Sequence, residues 1–226
     1  VDTHRFDIKQ ENVAKAGLWI AKKRYAQWII NVEGHTVSKL DVKGLDVVRS
    51  SFPPAFRKFM AEVLEDILND IDKVELDDKI LKFKDHIKSL DLIDVMFPIG
   101  VKNVKKYTKK GDEPFTPRMK GTPVHVKAAL NYNDMLRHHK IRTIRGMING
   151  EKIKWTYLKN NPMSLDTMAL KGYEDPDVLR KFVESYIDYN KVFKSAFANK
   201  LNDFYAALGW GQIPENNNLG KFFAFG

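Results

Sequence analysis

The chain has 226 residues, 43% of them hydrophobic and 12% aromatic, enough for one substantial core and too apolar for a disordered polymer. It holds no cysteine, which excludes a disulfide framework and thiolate metal sites and makes a reducing compartment the expected setting. The formal charge of +9 points to an anionic partner, because clustered Lys and Arg displace counterions from a phosphate backbone.

No apolar run is long enough to span a bilayer, and no signal peptide is read. The chain opens on Val1 rather than Met, and a piece of a longer polypeptide is expected. The first predicted element lies in GLWIAKKRYAQWIINVEGH, Gly17 to His35. Counting by two places Ala26, Trp28, Ile30 and Val32 on one strand face with Lys22 and Arg24, and Lys23, Tyr25 and Gln27 on the other. Glu33-Gly34-His35 reads as a turn and Val37 to Lys43 as the returning strand, so a β-hairpin is expected, anchored by Trp19 and Trp28. A cation and an aromatic two residues apart on its polar face suit a nucleic-acid groove. The same pattern suits a hairpin whose cations pair with acids elsewhere. In VKGLDVVRSSFPPAF, which follows, Gly44 permits close backbone approach to a ligand, and Pro53 and Pro54 open a new element.

Phe56, Phe59, Met60, Val63, Leu64, Ile67, Leu68 and Ile71 then recur at helical spacing, with Ser51 available as a cap. A second helix is expected through LDDKILKFKDHIKSL, with Asp77 and Asp78 in its first turn. LIDVMFPIG reads as a strand, followed by a short basic helix or loop through Tyr107. From Lys109 to Pro123 the chain reads as a long loop. In and around it stand Lys102, Lys105, Lys106, Lys109, Lys110, Arg118, Lys120 and Lys127, against only Asp112 and Glu113.

A helix is expected from Val124 to His138. Lys120, His125 and Lys127 flank its start, where free N–H groups favour phosphate; a solvated loop is the alternative. RTIRGMINGEKIKWTYL reads as a hairpin turning at Asn149-Gly150, and Asp175 to Leu208 as one long or two broken helices ended by Gly209. In the tail, Asn216, Leu219, Phe222 and Phe223 have the spacing of a sliding-clamp peptide, a polar residue followed by an aliphatic and two aromatics. A tail folded back onto the domain is the alternative. No Gly-rich phosphate loop, GxSxG elbow or HExxH occurs. His138 and His139 are adjacent, so their rings are expected to point apart on a helix, and no metal ligand set is read.

AKKRYA, KGLDVVRSS, PVHVKAALNYN, GEKIKWTYL and DYNKVFKSAF, ending in an aromatic terminus, succeed one another as do the blocks from the end of the palm through the thumb of family B DNA polymerases. Over essentially its whole length the chain resembles the polymerases of T-even-type bacteriophages and their marine relatives. The resemblance implies that Lys22, Lys23, Arg24 and Tyr25 form the KKRY motif, whose Lys and Tyr contact newly formed duplex from the minor-groove side. By the same resemblance, Lys23 and Tyr25 are expected to take that role here. It implies DNA contacts by Lys43, Gly44 and Arg49, and primer-phosphate contacts by Lys120, His125 and Lys127, with Ala128 standing where a glycine is expected. The family's Asp-x-x-Ser-Leu-Tyr-Pro-Ser, Asn-Ser-Tyr-Gly and Tyr-Gly-Asp-Thr-Asp-Ser blocks are absent. This chain alone is therefore expected to be inactive and to bind no cofactor, the polymerase's two Mg ions being held by upstream residues.

The expected architecture is α+β. Residues 1–51 form a β-hairpin remnant of the palm, residues 52–214 a mainly helical thumb with a small β-hairpin. Residues 215–226 form a clamp-binding tail acting through Asn216, Leu219, Phe222, Phe223 and Phe225. Expected partners are primer–template DNA, a sliding clamp and the upstream palm and fingers, in the cytoplasm of an infected bacterium and away from membranes. Two other readings stand beside this one: a free-standing basic protein binding nucleic acid without sequence preference, and a helical protein-interaction module.

Overall fold

The computed structural model describes residues 10–108, 113–172 and 174–214. In chain order they form β1 (Asn12–Ala21), β2 (Arg24–Val32), β3 (His35–Lys43), α1 (Pro54–Leu68), α2 (Lys73–His86), α3 (Leu92–Val95), β4 (Phe97–Gly100) and α4 (Val104–Tyr107). There follow α5 (Val124–His138), β5 (Lys152–Tyr157), β6 (Thr167–Leu170), α6 (Asp177–Tyr186), α7 (Tyr189–Phe193) and α8 (Asn199–Ala207). The fold is α+β, as expected. It divides into two compact units, neither of them a continuous run of chain. The first takes the chain up to Val48, Lys58–Leu81 and the chain from Lys200 onward; the second takes Arg49–Arg57 and Lys82–Asn199.

In the first unit β1, β2 and β3 form an antiparallel sheet in that order. The expected hairpin is thus a three-stranded sheet, and Lys22 and Lys23 lie in its first turn rather than on a strand face. β1 carries Asn, Lys and three Ala, so it has little of the β-branched signal that marks a strand and would reveal the turn after it. Register shifts at Ala14–Ala16 and Ile29–Asn31 also break the alternation. Ala26 and Ile29 are buried while Ile30 is exposed. Trp28 is half-buried beneath Lys15, whose Nζ lies 5.4 Å from the ring centroid. Trp19, 60% exposed, anchors nothing; its neighbour Leu18 is the buried residue.

From α1 and α2 this unit buries Phe59, Met60, Val63, Leu64, Ile67, Leu76 and Ile80. α2 begins at Lys73, a turn earlier than Asp77, so Asp77 is no first-turn acid. It is buried, and accepts 2.5 Å hydrogen bonds from Lys73 Nζ and the Tyr205 hydroxyl. Burial first, then the bond to Asp77, push the Tyr205 hydroxyl far above the usual phenol range.

In the second unit β4, β5 and β6 form a three-stranded antiparallel sheet covered by α5. The hairpin expected across Asn149-Gly150 does not form. Gly150 and Glu151 instead pair with Val101, and Asn149 Oδ1 accepts the Val104 N–H at 2.6 Å, capping α4. The residues before the turn are withheld from a strand by Asn133, which bonds both the N–H (2.6 Å) and the carbonyl (3.0 Å) of Met147. The stretch expected as one strand, LIDVMFPIG, splits: Asp91 caps α3 through the Ile93 N–H, and β4 begins at Phe97. Phe56, Phe83, Phe193 and Phe197 make an aromatic core with centroid separations of 5.4–6.4 Å. The C-terminal helical stretch is broken, the second of its two expected forms. Ile187 is extended and bridges Leu158, and Asp188 then caps α7.

Candidate nucleic-acid interface

The first unit gathers Lys22, Lys23, Arg24, Tyr25, Lys43 and Gly44 at one corner of its sheet. Lys22 and Lys23 are exposed, and among the described residues neither has an ion-pair partner. Lys23 has φ 62°, so the chain reverses at the cations themselves. Gly44, φ 67°, is the reason the turn can sit where it does. A Cβ there would lie 2.1 Å from the Lys23 carbonyl oxygen, so the close approach expected of Gly44 is to the chain's own backbone. Arg24 is turned toward the protein and pairs with Asp203 at 3.1 Å.

Tyr25 stands directly opposite Lys43 on β3, whose Nζ lies 5.8 Å from the ring centroid. The neighbouring Tyr25 side chain first, then the Asp41 carboxylate, hold the exposed Lys43 ammonium above the usual lysine range. The corner therefore combines fixed positive charge with a steadied phenol, groups that meet phosphates and groove-edge acceptors respectively.

The second unit gathers Lys120, His125 and Lys127 around the start of α5. Lys120 is exposed in a tight turn closed by Thr122, whose N–H and hydroxyl both bond the Met119 carbonyl. α5 opens on Pro123 without a side-chain cap, leaving its first N–H groups to another acceptor. His125 is half-buried, and burial holds its pKa below the ordinary 6.5. Lys127 is already engaged, donating to Asp166 at 2.7 Å. Beside it a cavity of about 550 Å³ is lined by Arg118, Thr122, Lys127, Asn131, Ser164 and Asp166. Ala128 is wholly buried inside α5, where a helical alanine fits without strain.

A solvated face is the ordinary expectation for the acids of this chain, and Asp134 departs from it. This residue is 1% exposed, and its carboxylate accepts from Arg118, Arg137 and the Phe115 N–H (2.8 Å). It ties the loop that carries Lys120 to α5 and holds Phe115 at φ 66°. A signal is present in the sequence: an acid four residues after Leu130 falls on the helix's apolar face, where only a paired charge is tolerated.

Arg49 belongs to the second unit and is exposed. The clamp-peptide residues Asn216, Leu219, Phe222, Phe223 and Phe225 lie outside the described residues. His138 and His139 do not point apart. Their ring centroids are 5.0 Å from one another, since His139 has already left the helix. Among the described residues no group of His, Asp and Glu is placed to hold a metal ion, and no helix is long and apolar enough to cross a membrane.

Residues 2–116 match the family model of DNA polymerase family B. The chain is 27% identical over 201 residues to the DNA-directed DNA polymerase of Escherichia phage RB69, covering 84% of this chain and 21% of that protein. It is 25% identical over 189 residues to the DNA-directed DNA polymerase of Enterobacteria phage T4, covering 82% and 20%. A shorter match, 36% identical over 84 residues, reaches the catalytic subunit of DNA polymerase alpha from Saccharomyces cerevisiae, covering 36% of this chain and 6% of that protein. The chain spans about a fifth of the length of the two phage relatives.

Proposed function

Since the chain belongs to DNA polymerase family B, we propose that it serves as the end of the palm (residues 1–51) and the thumb (residues 52–214) of a replicative polymerase, gripping the product duplex. The observation that carries this reading is the sheet corner: two lysines without ion-pair partners among the described residues, in a turn held in place by Gly44, beside a phenol steadied by Lys43. Lys23 and Tyr25 meet the duplex from its minor groove, where acceptors common to all base pairs let geometry be felt without sequence being read. Lys22, Lys43 and Arg49 add phosphate contacts. Lys120, His125 and Lys127, with the uncapped N–H groups of α5, hold primer phosphates.

Nucleotide addition belongs to upstream residues that would hold the two Mg ions. The tail, through Asn216, Leu219, Phe222, Phe223 and Phe225, would seat a helical turn in a pocket of a sliding clamp.

The test is fluorescence anisotropy of the chain with a labelled primer–template, and with single strand of equal length, at two salt concentrations. Binding that prefers duplex, weakens with salt and ignores sequence is expected. Tyr25→Ala should weaken it at unchanged salt slope, and Lys23→Ala should weaken it and lower the slope by about one. Equal affinity for duplex and single strand, or full affinity in both variants, would overturn the reading.

A further inference from the structure

We propose that Trp19 is a further, uncharged contact to the duplex, laying its indole against the sugars of the strand met by Tyr25; this rests on the duplex-binding reading above. Nothing in the KKRY pattern includes Trp19, and the sequence pattern suggests an anchor hidden beneath the strand. The structure turns it outward, with 60% of the residue exposed.

The ring is not loose on the surface. It lies back along β1 over Gly17, where a Cβ would come within 2.2 Å of the indole Cη2, so glycine makes a flat seat for it. Trp19 is directly opposite Tyr25, and Tyr25 is directly opposite Lys43. The three side chains therefore leave the same face of the sheet in one row across three strands: indole, phenol, ammonium. At an inter-strand spacing of about 4.8 Å the row covers about 10 Å, or roughly three nucleotide steps of 3.4 Å.

The charges around the indole select its occupant. Lys22 and Lys23 sit in the turn that joins the strands of Trp19 and Tyr25, and Lys43 ends the row. An apolar protein surface covering Trp19 would strip water from these cations and return nothing. A sugar–phosphate backbone supplies an apolar sugar face for the indole and anions for the cations beside it, and contacts to sugar and phosphate carry no sequence preference.

The experiment compares Trp19→Ala, Trp19→Phe and Lys23→Ala by anisotropy on primer–template over a range of salt. Alongside it, acrylamide quenching of tryptophan fluorescence is measured in the free and the duplex-saturated chain. Trp19→Ala is expected to weaken binding by about fivefold at every salt concentration through the apolar surface left uncovered, with the slope of log affinity against log salt unchanged. Trp19→Phe should restore most of the loss, whereas Lys23→Ala should lower the slope by about one. Duplex should shield an accessible tryptophan in the unaltered chain, and this shielding should be missing from Trp19→Phe. Full affinity in Trp19→Ala, or an indole as open to acrylamide in the complex as in the free chain, would overturn the contact and leave duplex binding standing. Failure of the unaltered chain to bind duplex at low salt would overturn both.

Discussion

The two basic clusters differ in what their cations are doing before any ligand arrives. At the sheet corner of the first unit Lys22 and Lys23 face solvent, with no acid partner among the described residues, on a turn whose backbone is fixed. Around α5 in the second unit only Lys120 of the cluster is exposed in this way: Lys127, in the first turn of α5, is bonded to Asp166, and Arg118 and Arg137, the latter in the helix's last turn, are spent on Asp134. The first cluster is ready-made and meets an anion by losing only water and counterions. Apart from Lys120, the second must exchange one carboxylate for another acceptor, so its contribution depends on how its internal pairs are arranged.

The largest effect should come from breaking the arrangement that holds the second cluster together. Asp134→Ala leaves Arg118, itself almost buried, without its carboxylate, together with the Phe115 N–H. Removing one partner of a buried ion pair typically costs about 3–5 kcal/mol. Urea unfolding should show a loss of that order. A loss below about 1 kcal/mol would mean that the loop does not depend on this carboxylate.

A smaller effect should separate the clusters by pH. Burial places the His125 pKa below 6.5, so at neutral pH the ring is uncharged and donates only a neutral hydrogen bond. A phosphate beside it favours the protonated ring, so duplex affinity should rise as pH falls below about 6.5. The rise should vanish in His125→Gln. For stability the sign is opposite. The unfolded chain takes up the proton first, so the histidine's contribution is lost as pH falls from about 6.5 toward the folded value. A pH profile of binding identical in His125→Gln would remove His125 from the interface.

The smallest effect concerns Lys127. Asp166→Asn frees its ammonium from a half-exposed pair, and such pairs are worth about 0–1 kcal/mol. Duplex affinity should rise by at most about fivefold, with a salt slope steeper by about one. Weaker binding in this variant would mean that Asp166 positions Lys127 rather than competing for it.

The helices are legible in the sequence because their apolar residues recur at a period that packing enforces. The stretch from Phe56 to Leu68 and the bounds of α5 can be read directly, whereas Ile71, expected on the same stripe, falls beyond the turn that ends α1. The sheets are harder, because a strand's partner is set by chain far away. Asn149-Gly150 carries a strong hairpin signature, yet Asn133 and Val101 supply the hydrogen bonds that decide where the chain goes. The same holds at the interface. The KKRY resemblance singles out Lys23 and Tyr25, whereas the outward turn of Trp19 follows from its place opposite Tyr25 across the sheet, and the role of Asp134 from pairings made across a loop. Properties carried by one residue's chemistry can be read from the sequence; those decided by a distant partner cannot.

The empty side-chain position of Gly44 has a consequence for how this surface can be transplanted or diversified. Along the sequence, AKKRYA and KGLDVV read as two separate signatures. In space the carbonyl of Lys23 fills the volume that a side chain at position 44 would occupy. A grafted KKRY hairpin that leaves Gly44 behind would carry the charges but lose the neighbour that sets their direction. A library that varies position 44 would be varying the aim of Lys23. The two signatures are one heritable part.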